Sequence, residues 1–157
     1  MQFGLALPNR CCHNGRAVTR RGDIRGNPDF DLVRAYGPYG VRVQALVDRC
    51  RLLTPAELVR LQESLQADFL SRTEEARVAA IQAAEAAGRS RAWTAALRAV
   101  GDAVEDAVPG RMAGDLSGAV YAVPAWVALA VIVGDLVTRN QRDVLVSGWL
   151  DAGLPAP

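Results

Sequence analysis

Cysteine and histidine stand side by side at one place in this sequence. The stretch CCHNGR begins with Cys11 and Cys12, followed by His13, the only histidine of the chain. Together with Cys50 they suggest a zinc site, but usable zinc ligands are normally separated by two or more residues so that both side chains face one ion. A cysteine nucleophile would need a base and a third group that orients the base. We therefore expect ordinary thiols, with no metal, no cofactor and no catalytic residue.

A second group of reactive side chains lies later in the chain. The spacing of Asp102, Glu105 and Asp106 puts all three on one helical face, which suggests metal binding or acid–base catalysis. Acids clustered on the polar side of an amphipathic helix are more often solvated, and we favour that interpretation. The sequence has no Gly-rich phosphate loop, no G-x-S-x-G motif and too few histidines for a di-iron bundle. The pattern favours a protein that is not an enzyme.

Arginine is the third group, because all eighteen basic residues are Arg. Residues 1–53 hold nine Arg and four Asp, whereas residues 54–157 hold nine Arg and thirteen acids. Four of the arginines form a candidate interaction arm: Arg16, Arg20, Arg21, Arg25. Such an arm can meet nucleic-acid phosphates, but no interleaved aromatic residues are present to stack on bases. We favour an arm that complements the acidic body of its own chain or of a neighbouring subunit.

Length and composition indicate one folded domain preceded by this arm. The chain has 157 residues, half of them hydrophobic, which is enough to bury a core. Residues 1–40 contain six Gly and three Pro without a regular hydrophobic period, which predicts a mostly irregular basic arm with one short turn around Phe30 to Tyr36. Residues 41–157 are expected to form a helical bundle. Alternatively, translation starts at Val41, where the regular pattern begins.

The bundle opens with a helix and a clear start signal for the next one. Apolar residues recur every three or four positions after Val41: Val43, Leu46 or Val47, Cys50, Leu53. Thr54 then supplies a helix cap, Pro55 suits the first helical position, and Glu57 returns a hydrogen bond to the cap. The buried stripe of this second helix is predicted to be Leu58, Leu61, Leu65, Phe69.

Strong helix formers fill residues 67–87, so we expect the second helix to run on to Gly88. A break near Ser71, where Ser71 and Glu74 spell a second capping box, is the alternative. Glu85 and Arg89, four residues apart, are expected to pair on the exposed face.

Two more amphipathic helices are predicted further along. Ser90 is expected to cap the first, and its buried stripe is Trp93, Leu97, Val100, Val104, Val108. Asn140 is expected to open the last helix, which buries Leu145 and Trp149 and ends at Gly153. No β-hairpin signal is present, so the predicted fold is all-α, a compact bundle of five or six helices.

An uncharged segment between these helices raises the question of a membrane. Residues 116–134 carry no charge, and at about 1.5 Å per residue they would nearly match the hydrocarbon thickness of a bilayer. Pro124 inside the segment is best placed at the start of a helix that ends at Val137, with Asp115 as a cap for the segment as a whole. That helix has the length of a core helix. We favour a buried core helix over a membrane span using residues 116–137 or a partner-covered face.

Three stretches of the bundle, RLLTPAELVRLQ, AAIQAAEAAGRSRAWTAALRAVGDAV and VIVGDLVTRNQRDVLVSGWLDAGL, resemble a loose group of alanine-rich helical proteins of actinobacteria and their phages. The resemblance covers residues 51–154. It implies a helical fold and that genomic setting, and no activity.

These patterns predict a non-enzymatic helical interaction or assembly protein that self-associates or binds a protein partner. A small nucleic-acid-binding regulator using the Arg-rich arm, and a membrane-associated protein using residues 116–137, are the alternatives. The three cysteines and the lack of a signal peptide indicate a cytoplasmic protein.

Overall fold

The computed structural model describes residues 33–64, 67–116 and 118–157, and these residues are helical without any strand. The predicted all-α fold is therefore confirmed. Within these ranges, two short 3-10 turns, Gly37–Tyr39 and Gly110–Met112, accompany six α-helices, and residues 33–35 are helical as well. The helices are α1 Gly40–Arg51, α2 Pro55–Ser64, α3 Ala67–Ala86, α4 Ser90–Ala107, α5 Ala119–Ile132 and α6 Arg139–Asp151.

The apolar helix α5 lies at the centre of the bundle and contacts each of the other five helices. Every residue from 127 to 133 is buried, which is the expected result for a helix that is apolar on all sides. The predicted core helix is thus confirmed in its burial. Among the described residues, no helix combines the length and the apolar character that crossing a bilayer requires.

The predicted bounds of α5 were wrong at both ends. The helix begins at Ala119 and contains Pro124 in its second turn, and it ends at Ile132. A proline this close to the start removes one helical hydrogen bond, a loss that the surrounding core packing outweighs. Asp115 does not cap the helix. The cap position is Gly118, which makes no side-chain hydrogen bond. Asp115 lies three residues earlier, in the turns that follow Met112.

Local signals in the sequence placed several other helix ends correctly. Thr54 and Glu57 exchange the predicted pair of capping hydrogen bonds, at 2.9 and 3.3 Å. Glu57 also accepts a hydrogen bond from Arg49 at 2.6 Å, which joins α1 to α2 and lowers the pKa of Glu57. Gly88 and Gly153 follow α3 and α6 with positive φ, the backbone conformation that a helix end of this kind favours in glycine.

Other predicted boundaries need correction. Helix α3 passes through Ser71 without interruption, so the alternative break there is wrong, while residues 65 and 66, where α2 would join α3, lie outside the described residues. Ser90 is the first residue of α4 rather than its cap. Helix α6 begins at Arg139 rather than at Asn140, because Thr138 and Gln141 form a capping box at its start.

The buried faces of α1 and α4 differ in how well the sequence indicated them. All the positions predicted for the first apolar stripe are buried, four of them in α1 and Leu53 two residues beyond its end: Val43, Leu46, Val47, Cys50, Leu53. In α4, Val100 and Val104 are fully buried, but Leu97 is 42% exposed. The rest of the buried face consists of alanines: Ala92, Ala96, Ala103. Helix α4 packs against both α1 and α5. Small side chains let these helices approach closely, which turns Leu97 outward.

Candidate interaction surfaces

The residues considered for metal or thiol chemistry provide no such site in the described structure. Cys50 is fully buried, and burial raises the pKa of its thiol to about 12, so the thiol stays protonated and unreactive at neutral pH. Cys11, Cys12 and His13 lie outside the described residues. Within residues 33–64, 67–116 and 118–157, no three His, Cys, Asp or Glu side chains form a group that could hold a metal ion.

A cluster of three hydrogen bonds joins the α3–α4 turn to the end of α5. Arg89 donates to both carboxylate oxygens of Asp135, at 2.5 and 2.9 Å, and to the backbone oxygen of Ile132 at 2.7 Å. The predicted pairing of Arg89 with Glu85 is wrong, because Arg89 lies beyond the last turn of α3 and reaches across to α5. This cluster has a structural role: it satisfies a free carbonyl at the C-terminal end of the core helix.

The pH dependence of stability in acid should report on this cluster, and we expect Asp135→Asn to make that dependence weaker. The hydrogen bond from Arg89 lowers the pKa of Asp135 from 3.8 to about 2. A carboxylate with a lowered folded-state pKa contributes stability above its ordinary pKa and loses that contribution as the pH falls through the folded value. The contribution of Asp135 is therefore lost between about pH 4 and pH 2. Urea unfolding across this range measures it.

The matched control is Asp151→Asn, which removes an exposed carboxylate from α6. An equal change in the pH dependence of both variants would contradict a specific contribution from Asp135.

Three large apolar side chains lie exposed on the long helix α3. Leu70, Val78 and Ile81 are 45%, 48% and 39% exposed. At about 100° per residue, their positions fall within one narrow sector of the helix surface. Exposed glutamates share this sector or border it: Glu74, Glu75, Glu85. We call these six residues the α3 face, and it is both apolar and acidic.

A second surface runs along the outer side of α4. We define the α4 face by its members: Arg91, Thr94, Leu97, Arg98, Gly101, Asp102, Glu105, Asp106. The two arginines lie in its first half and the three acids in its second half. All three acids are exposed, as the solvated-surface interpretation predicted. A shallow depression of about 340 Å³ marks the N-terminal half of this surface, around Thr94.

A crevice of about 240 Å³ separates α1 from the end of the chain. Trp149 forms one wall, and its indole N–H donates to the backbone oxygen of Pro155 at 2.8 Å. Arg42 on the opposite side donates to the backbone oxygen of Pro157 at 3.3 Å. Sequence patterns gave no sign of this crevice, since it forms only when the Pro-rich end packs against α1.

The four arginines of the predicted arm, Arg16, Arg20, Arg21 and Arg25, lie outside the described residues. Neither of the two helix faces was singled out from the sequence as a binding surface. A signal was available for the α3 face, since Leu70, Val78 and Ile81 stand eight and three residues apart on the side of α3 that faces away from Phe69. No protein-family model, no curated protein and no solved structure matches this chain.

Proposed function

We propose that this protein is a helical assembly protein that associates with further copies of itself. The observation that carries the proposal is the α3 face. Its three apolar side chains are between 39% and 48% exposed, and they share one side of the longest helix among the described residues. Exposed apolar groups of this kind, bordered by charge, are typical of surfaces that bind another protein.

The occupant that we propose for the α3 face is the basic arm of a neighbouring copy. Residues 10–25 contain five Arg and one Asp, and the α3 face contributes three glutamates. Opposite charges on two surfaces favour their encounter and fix their register. The long aliphatic stems of arginine also cover apolar side chains while their charged ends stay in water, so an Arg-rich segment suits a surface that mixes Val78 and Ile81 with Glu74.

A charge-removal experiment on the full-length chain tests this proposal. We expect the quadruple substitution Arg16→Gln, Arg20→Gln, Arg21→Gln and Arg25→Gln to raise the dissociation constant for self-association about tenfold, since charge pairs with the three exposed glutamates contribute a modest free energy in total. Raising the salt concentration should weaken association of the original protein in the same direction. Size-exclusion chromatography with light scattering over a range of protein concentrations measures both effects.

The matched control removes four exposed arginines from the bundle instead, at positions 51, 60, 111 and 139. It changes the net charge equally and is expected to leave the dissociation constant within about twofold of the original. If the four arm arginines are changed to Glu, changing Glu74, Glu75 and Glu85 to Arg should restore association. A protein that stays monomeric at every concentration contradicts self-association. If the charge exchange restores contact between the arm and the α3 face while the protein stays monomeric, the arm binds its own chain.

A further inference from the structure

The charges of the α4 face run against the dipole of their own helix. Negative side chains stabilise the first turn of a helix and positive ones the last turn. Helix α4 has the opposite order, with Arg91 in its first turn and Glu105 and Asp106 in its last two turns. The ion pairs found among the described residues involve none of these three side chains. The arrangement therefore costs the isolated chain free energy that no described residue offsets.

Glycine at position 101 is a second feature that the single chain does not explain. Gly101 lies inside α4, where glycine is less favourable than alanine, and it has no positive φ that would require glycine. A Cβ atom added there would meet nothing within 4 Å. The bundle itself would therefore accept a larger residue. Glycine at such a position is useful when another backbone or side chain approaches the helix closely from outside.

Leu97 supplies the third feature, one helical turn before Gly101. The two residues are neighbours on the helix surface, because residues four apart lie one above the other. The side chain of Leu97 is 42% exposed although the spacing of the α4 apolar residues predicted its burial. The α4 face thus offers a protruding apolar side chain next to a gap of the kind that could receive one.

We infer that the α4 face binds the α4 face of a second copy in antiparallel orientation, around a two-fold axis. The inference rests on the proposed self-association and names a second contact surface, in addition to the arm and the α3 face. When the axis passes between the two α4 helices at the level of Ala99, Leu97 of each copy lies opposite Gly101 of the other. Arg98 then lies near Asp102 of the second copy, and each such contact occurs twice, as two-fold symmetry requires.

The same alignment brings Arg91 level with the last two turns of the opposite helix, near Glu105 and Asp106. A parallel arrangement would place arginine on arginine and acid on acid. A partner with a uniformly acidic or basic surface would match only one half of the α4 face. A second copy in antiparallel orientation supplies both signs in the required order, and for this reason we commit to it as the occupant.

Two charge-reversed versions of the full-length protein test the inference. Arg91→Glu with Arg98→Glu makes the face entirely acidic, and the triple change Asp102→Arg, Glu105→Arg and Asp106→Arg makes it entirely basic. Each should associate at least tenfold more weakly than the original protein, because like charges then oppose one another. Both changes also improve the match to the helix dipole, so weaker association will not reflect lost folding. An equal mixture of the two should form a heterodimer that restores association, as measured by light scattering or sedimentation.

A steric variant separates the contact from the stability of the chain. Gly101→Leu should raise the thermal midpoint of unfolding in dilute solution, since leucine is the better helix former and nothing lies within 4 Å of a Cβ atom at this position. It should also weaken association at least tenfold, because it fills the gap that Leu97 of the other copy enters. Reversing Arg60 and Arg139 to Glu is the control, and it should leave association through the α4 face unchanged.

The outcomes distinguish this inference from the proposed function. If the original protein associates, and the reversed and Gly101→Leu variants associate equally well, the α4 contact is wrong while self-association stands. If the original protein is monomeric at every concentration, both are wrong. If the reversed variants dissociate but their mixture does not recover, the antiparallel pairing is wrong.

Discussion

Replacing Trp149 with alanine is expected to lower the free energy of unfolding by about 3–5 kcal/mol. Trp149 is 1% exposed and lies among the largest fully buried side chains of the core. Truncation would leave a cavity between α6 and the rest of the bundle, and it would also remove the indole donor from the Pro155 carbonyl. Domains of this size are stable by about 5–15 kcal/mol, so the variant should lose a large fraction of its stability.

Leu150→Ala is the matched control for this prediction. Leu150 is the next residue in the same helix, but it is 44% exposed, so its truncation should cost less than about 1 kcal/mol. Chemical denaturation followed by circular dichroism compares the two variants. Equal losses would contradict the packing of α6 that the structure shows. Trp149→Phe, which keeps an aromatic ring but loses the hydrogen bond, should fall between them.

The parts of the fold that were predictable from the sequence depend on interactions between near neighbours. The capping box of Thr54 and Glu57 joins residues three positions apart, and the ends of α3 and α6 depend on a glycine two residues beyond each helix. The burial of α5 was also predictable, because a helix that is apolar on all sides needs neighbours on all sides. Such signals require no knowledge of the tertiary packing.

The features that sequence reasoning missed depend on contacts between distant parts of the chain. Arg89 and Asp135 are 46 residues apart, and only the packed bundle brings the α3–α4 turn to the end of α5. Leu97 is exposed because α4 approaches two helices through alanines, a choice of face that periodicity alone does not reveal. Local geometry favours Pro124 at the start of a helix, whereas the structure places it inside the buried helix α5.

The candidate surfaces show the same division. Exposure of Asp102, Glu105 and Asp106 followed from their place on the polar side of an amphipathic helix. That these three acids lie at the unfavourable end of the helix dipole follows only from the bounds of α4, because the comparison needs the first and last turns. The open space around Gly101 likewise depends on what surrounds the helix.

Gly40 is the position where the smallest substitution is expected to have a large effect. Gly40 begins α1 and is buried. A Cβ atom added there would overlap the backbone oxygen of Val33, and backbone cannot move away as a flexible side chain can. We expect Gly40→Ala to lower the free energy of unfolding by about 1–3 kcal/mol, since overpacking of this kind forces the backbone to shift.

The strain should act on the turn before α1, which holds Tyr36 in the core at 2% exposure. Burial raises the pKa of Tyr36, so displacement of the turn should bring its titration to lower pH in the variant. Gly114→Ala is the control, because nothing lies within 4 Å of a Cβ atom there, and it should change stability by less than about 0.5 kcal/mol. Unchanged stability and Tyr36 titration in Gly40→Ala would contradict the close packing of Val33 on α1. A loss confined to Gly40→Ala would show that the folded domain begins before α1, so that Val33–Tyr39 anchors the arm to the bundle.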